Sequence, residues 1–396
     1  MRYGLAARGI EQRTLVADEW DAALPAALLR AYTWLEDFEA VDREVAAVQA
    51  MPSATEPVKL VMARGVQALA RFEAGRMAEA AEAAGDADAD ARRQGFEQHP
   101  FAVDYLRALA GAALERRDFD TAEHLTERAL STSEHIRPAF EFLGLLDRAQ
   151  IWAARGQIHD ALASVEAARL VLAGTRSELL ARADELEVLL RLSLGDLPSA
   201  AGLAGGLTAT RRGLLMARVA LAAGDHHAAV EHLDTLPLGD LTPRTALVRQ
   251  VLLAAAAIER GDPAAASIVG GVLQVARSGG FLNTVVTTAP QVTRYLVEHS
   301  AQVQPEPFLE RLVDAALVVR SLQPGASRSR GLRAAPLTDA ELRVLRLLPT
   351  TSYVQMAAAL YISHNTVRSH LRSIYRKLGV SSRSEAIERA VEVHLL

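Results

Sequence analysis

The sequence predicts an all-α protein: an array of helical repeats followed by a small four-helix unit. Three observations point there. Ala and Leu dominate while aromatic residues make up only 5% of the chain, a balance that favours helices over strands. Units that pair a small-residue turn with a helix start recur from Ala74 to Ala266. Between Pro336 and Leu395, helix caps alternate with apolar residues at helical spacing.

At 396 residues, half of them hydrophobic, the chain can hold two or three domains and a large core. It has no Cys, which excludes disulfides and thiolate sites and fits a reducing compartment. The stretch Met1 to Ile10 lacks a signal-peptide core. The longest apolar runs, such as Val251 to Ile258, are too short to span a bilayer. A soluble, cytoplasmic protein with no membrane partner is expected. The net charge of −5 is unevenly spread. Residues 326–396 hold eleven basic and five acidic side chains, so the tail carries +6 and the preceding body −11.

In chain order, the first elements are a helix pair at Glu19 to Arg30 and Ala31 to Ala50, closed by an exit loop from Met51 to Pro57. The repeating units follow: Ala74 to Ala80, Arg116 to Ala122, Arg155 to Ala161, Leu194 to Ala200, Ala223 to Ala229 and Arg260 to Ala266. From the last Ala of each unit to the next, the steps are 42, 39, 39, 29 and 37 residues, near a two-helix period. Small residues let paired helices approach closely, and each pair needs its neighbour to cover its apolar side. Further helices are expected at Phe281 to Thr288, Gln291 to Ala301 and Phe308 to Leu322, separated by Pro290 and by Pro305-Glu306-Pro307. Gln323 to Pro336 is small, polar and basic, as a flexible tether would be. The expected division is a repeat domain at 1–322, a linker at 323–336 and a C-terminal domain at 337–396.

In that last domain, Thr338-Asp-Ala-Glu341 is a capping box that opens a helix running to about Leu348. A short helix, Tyr353 to Leu360, is started by Ser352. The turn Tyr361-Ile362-Ser363 leads into a helix over 364–378, capped by Ser363 and ended by Gly379, with Val380 folding back towards Tyr375. Val367, Leu371, Ile374 and Leu378 share one side of it, while Arg368, Ser369, Arg372 and Arg376 face elsewhere. Four basic residues and no acidic one lie between Ser363 and Gly379, so its open side should attract a polyanion. Ser382-Arg-Ser-Glu385 is a second capping box, opening a last helix that carries Ile387, Ala390 and Val391 inward. Two short helices joined by a tight turn and braced on both sides make a helix-turn-helix unit.

These residues resemble a known family. Leu337-Thr-x-x-Glu341, Val344-Leu345, Ala357, Ile362-Ser363, Asn365-Thr-Val-Arg-Ser-His370, Lys377-Leu-Gly-Val380 and Ser382-Arg383 closely resemble the LuxR-type (GerE-like) DNA-binding domain. One departure is the loop Pro349-Thr-Thr-Ser352, one residue shorter than the family's usual glycine-containing loop. The repeats look like a degenerate tetratricopeptide array, similar to the repeat region of the large MalT-related regulators. Those regulators carry an ATPase domain, whose P-loop needs a Lys after a Gly. The only lysines here are Lys59 and Lys377, preceded by Val58 and Arg376, so this chain has no Walker A motif. It resembles a shortened member that keeps the repeats and the DNA-binding end; a fragment or a misplaced start would read the same way.

The resemblance implies a transcription regulator that binds double-stranded DNA, with roles residue by residue. Arg368, Ser369 and Arg372 match the family's base-reading positions. Ser352, Asn365, Thr366, Tyr375, Arg376 and Lys377 are expected on phosphates, which fix register without reading sequence. His370 stays open between a DNA contact and a packing role. A homodimer is expected, with the last helix, Arg383 to Val393, as its contact. The repeats are expected to sense a protein or small-molecule effector. The alternative is an adaptor whose repeats hold a partner and whose tail is non-essential. Asp225, His226, His227, Glu231, His232 and Asp234 could form a metal site with imidazole and carboxylate ligands. The same cluster is more readily the wet surface of a repeat helix. No metal, cofactor or enzymatic activity is expected, because no nucleophile-base set or phosphate loop survives inspection.

Overall fold

A computed structural model of the protein describes residues 28–50, 57–133, 138–174, 179–237, 239, 241–299, 306–322, 337–349, 351, 353–360, 364–378, 380, 383–392 and 395. Among them there are helices and no strands. Two compact units divide the chain, residues 1–316 and 317–396. The expected linker at 323–336 lies outside the described residues.

In the first unit, a helical stretch at residues 28–34 precedes α1 (Phe38–Gln49), α2 (Pro57–Glu73), α3 (Met77–Gln94), α4 (Ala102–Glu115), α5 (Phe119–Ser133), α6 (Pro138–Ala154) and α7 (Ile158–Val171). Then come α8 (Leu180–Ser193), α9 (Leu197–Gly205), α10 (Ala209–Ala222), α11 (His226–Asp234), α12 (Pro243–Glu259) and α13 (Ala265–Gly279). The shorter α14 (Leu282–Thr288) and α15 (Pro290–His299) lead to α16 (Pro307–Leu322), which crosses the boundary between the units.

One turn is used again and again. Glu36, Gly75, Arg117, Gly156, Gly195, Gly224 and Gly261 all have positive φ. At each, the residue's own N–H bonds the carbonyl three back, and the next N–H bonds the carbonyl five back, as in Asp225 N to Ala220 O at 2.9 Å. That is a Schellman ending, which satisfies the last carbonyls of the first helix. The following residue starts the next helix: the carboxylates of Asp37, Asp118, Asp196 and Asp225 accept the N–H three residues on. A single short turn thus caps two helices and sends the chain back antiparallel. Five residues beyond each of the first six turns, Val41, Ala80, Ala122, Ala161, Ala200 and Ala229 are fully buried. Their small side chains set how closely the paired helices meet.

One expectation is corrected. The break in the first pair comes at Glu36, not between Arg30 and Ala31, since residues 28–34 are one helical stretch. Residues 1–27, with most of the expected first helix, lie outside the described residues. In the last repeat the inward residue is Ala265, and Ala266 is exposed. Ala265 N bonds the carbonyl of Asp262, three back, where the other units bond four back. The tighter first turn advances the inward position by one residue.

Plain solenoids touch only their neighbours. This array also folds back on itself. The Glu115 carboxylate of α4, in a side chain only 5% exposed, accepts from Arg244 of α12 at 2.7 Å and from the Thr284 backbone N–H and hydroxyl of α14 at 3.0 and 2.6 Å. Arg182 of α8 pairs with Glu73 of α2, and Arg211 of α10 with Glu36. Burial would raise the Glu73 carboxyl, but the surrounding guanidinium groups, Arg182 first among them, hold it low. Arg244 also stacks over Phe72 and Phe281. Its backbone comes so close to the Gly75 turn that a Cβ there would lie 2.9 Å from Arg244 N, a second reason for glycine besides its φ of +85°. Arg117 adopts the left-handed conformation without being glycine, which costs about 1–2 kcal/mol. In return its guanidinium donates to the Asn283 amide oxygen and the Ala154 carbonyl, tying its own turn to α14 and α6.

Candidate nucleic-acid interface

The second unit is built on α17 (Asp339–Leu347), α18 (Tyr353–Leu360), α19 (His364–Leu378) and α20 (Arg383–Glu392). The capping box predicted for the first of these is formed: the Thr338 hydroxyl accepts from Glu341 N, and the Glu341 carboxylate accepts from Thr338 N at 2.7 Å. Val344, Leu345, Leu348, Met356, Val367, Leu371, Ile374, Ala386 and Ala390 form one buried cluster drawn from all four helices. Ala390 is inward as expected, Ile387 is half-buried against the cluster, and Ala386 joins them unannounced by the sequence reading. The side chains of Leu378 and Val391 lie outside the described residues.

Within α19, Val367, Leu371 and Ile374 point one seam of the helix into that cluster. At 100° per residue, Asn365, Ser369, Arg372 and Arg376 take register positions across the axis from this seam, with Arg368 at its flank. The backbone at these five positions is helical, and their side chains lie outside the described residues. Ser352, Ser363, Gly379 and Ser382, with the caps expected from them, lie outside as well. Val380 N bonds the carbonyl of Tyr375 at 3.0 Å, the fold-back expected at the helix end. Thr366 and His370 are half-buried, and Tyr375 is half-buried against the cluster.

Lys377 turns inward. Its amine meets the Glu341 carboxylate at 2.6 Å, with side-chain exposures of only 16% and 6%. Burial would raise the Glu341 carboxyl, but hydrogen bonds from Lys377, Ser373 and Thr338 outweigh it and hold its pKa at about 2. Arg383 makes the other polar tie. Its guanidinium donates to the carbonyls of Leu348 and Thr351, the latter at 2.9 Å, satisfying groups left open where α17 ends. Neither tie was read from the sequence, where Glu341 served only as a cap. The four-residue spacing of Ser373 and Lys377, which puts both on one flank of α19, is the signal that could have shown the first.

The tempting metal cluster is divided among other tasks. Asp225 caps α11, Asp234 pairs with Arg249, and His227 sits 3.7 Å from Glu231. Among the described residues no group of three or more His, Cys, Asp or Glu could hold a metal ion. None of the described helices is long and apolar enough to cross a membrane.

A helical repeat array joined to a capped helix-turn-helix unit with a basic second helix defines a class of DNA-binding regulatory protein. Residues 16–302 match the family described as MalT-like TPR region, and residues 335–390 match the luxR family of bacterial regulatory proteins. The chain belongs to the LuxR-type regulators that carry a MalT-like repeat region. The HTH-type transcriptional regulator MalT of Serratia proteamaculans (strain 568) is 24% identical over 348 residues, which cover 76% of this chain and 37% of that protein. The chain therefore spans well under half the length of that relative.

Proposed function

We propose that the chain regulates transcription by binding particular duplex sites as a homodimer, reading the major groove with α19. The observation that carries this reading is the apolar seam of Val367, Leu371 and Ile374, which leaves basic register positions on the far side of the helix. A groove about 12 Å wide admits one such helix. In this reading Arg368, Ser369 and Arg372 contact base edges. Ser352, Asn365, Thr366, Tyr375 and Arg376 contact phosphates, and α20 joins two copies so that paired half-sites multiply specificity. The repeat domain, taken as 1–322, receives a protein or small-molecule signal, and a tether at 323–336 passes the DNA-binding end, 337–396, to its site. The relative named as a transcriptional regulator supports the reading.

A gel-shift titration tests it. Replacing Arg368 and Arg372 together by Ala removes two bidentate guanine contacts, each worth about 1–3 kcal/mol, so site affinity should fall at least tenfold with an unchanged circular dichroism spectrum. Unchanged affinity for the preferred site would sink the assignment. An adaptor with an idle tail would instead show neither site preference nor steep salt dependence.

A further inference from the structure

We propose that Lys377 is not a phosphate ligand but a pin that, with Ser373 and Glu341, fixes the rotation of α19 about its own axis and so aims its reading residues. The proposal rests on the DNA reading above.

Lys377 and Ser373 lie one turn apart on the same flank of α19 and converge on a single carboxylate. That carboxylate is itself fixed, since the Thr338 backbone N–H holds Glu341 at the start of α17. Apolar packing along Val367, Leu371 and Ile374 keeps the helix against the bundle but is non-directional, so by itself it tolerates some roll. A roll of about 20° moves an atom at the helix rim, about 6 Å from the axis, by about 2 Å. Hydrogen bonds to base edges do not survive a displacement of that size. The carboxylate lock at 2.6 Å is directional and sits off the seam, where it resists rotation best. For the Lys377 amine to reach a phosphate it would have to leave Glu341 as a buried, uncompensated charge, an exchange that gains little.

The two roles predict different numbers from one titration of the full chain. The probes are a duplex recovered from a random-sequence pool by the unaltered protein and a scrambled duplex of equal length, each measured across a salt series. Lys377→Met keeps the length of the side chain and removes its charge. The double variant Glu341→Gln/Lys377→Met leaves no orphaned carboxylate, so it stays folded if the single variant does not. The pin predicts that the slope of log affinity against log salt is unchanged in whichever variant is folded, while preference for the recovered duplex falls at least tenfold. A slope reduced by about one unit with preference retained makes Lys377 a phosphate ligand and overturns the proposal. Slope and preference both unchanged overturn it too. If the unaltered chain recovers no preferred duplex, the DNA reading itself fails and the pin falls with it.

Discussion

At the crossings of its paired helices the repeat array places Ala80, Ala122, Ala161, Ala200 and Ala229, whereas in the C-terminal unit Ala386 and Ala390 share the core with Val344, Leu345, Leu348, Met356, Val367, Leu371 and Ile374. An alanine brings backbones close but removes little apolar surface from water, and an aliphatic side chain buries about 0.8 kcal/mol more per methylene. The array adds larger buried side chains such as Tyr105, Phe142 and Leu143, and polar ties across its fold, among them Arg30–Asp104, Arg107–Asp147 and Arg244–Glu115. Among the described residues of the smaller unit, two polar ties grip the ends of α17: Glu341 at its start and Arg383 at its finish.

The comparison can be broken at three places. The largest effect is expected from Asp104→Ala. Asp104 and Arg30 are 3% and 4% exposed, and deleting one partner strands the other. The loss should be about 3–5 kcal/mol from the array's unfolding transition, with the C-terminal transition unmoved; a denaturant melt followed by circular dichroism checks both. A uniform loss across both transitions would mean the two units are not independently held.

The next effect is on the C-terminal unit and is read by lowering the pH. The Glu341 carboxyl is held at about 2 against an ordinary 4.5, so its contribution is whole above about pH 4.5 and disappears as the pH falls towards 2. The thermal midpoint of that unit should drop through this window, and Glu341→Gln should flatten the drop. A smaller change is expected from Asp225→Ala, which removes the carboxylate that caps α11 at 2.9 Å. About 1 kcal/mol of array stability should go, measurable as a shifted denaturant midpoint.

The C-terminal helices could be read in advance because their signals are local. Thr338 and Glu341 are three residues apart, and the seam of α19 recurs at fixed spacing. The repeats could be read for the same reason, because each turn from Gly75 to Gly261 is followed five residues later by an alanine. The first turn escaped because the residue at that spacing after Glu36 is Val41 and not alanine; in the last repeat a tighter helix start moves the inward place to Ala265. The ties that fold the array back escaped because nothing local encodes them: Arg244 meets Glu115 from 129 positions away, and Arg211 meets Glu36 from 175. The partner of Lys377 escaped for a related reason. A lysine on a basic helix reads as a DNA contact until the carboxylate 36 positions earlier is seen beside it.

The recurring turn has a consequence for how such arrays change length. Because one residue closes a helix and the next opens another, an added residue there would rotate the following helix by about 100° and swing its inward alanine towards solvent. The links that join one pair to the next are less uniform, running from two residues before Leu282 to eight before Pro243. Within a pair the spacing admits no added residue, whereas between pairs the chain already accepts links of several lengths.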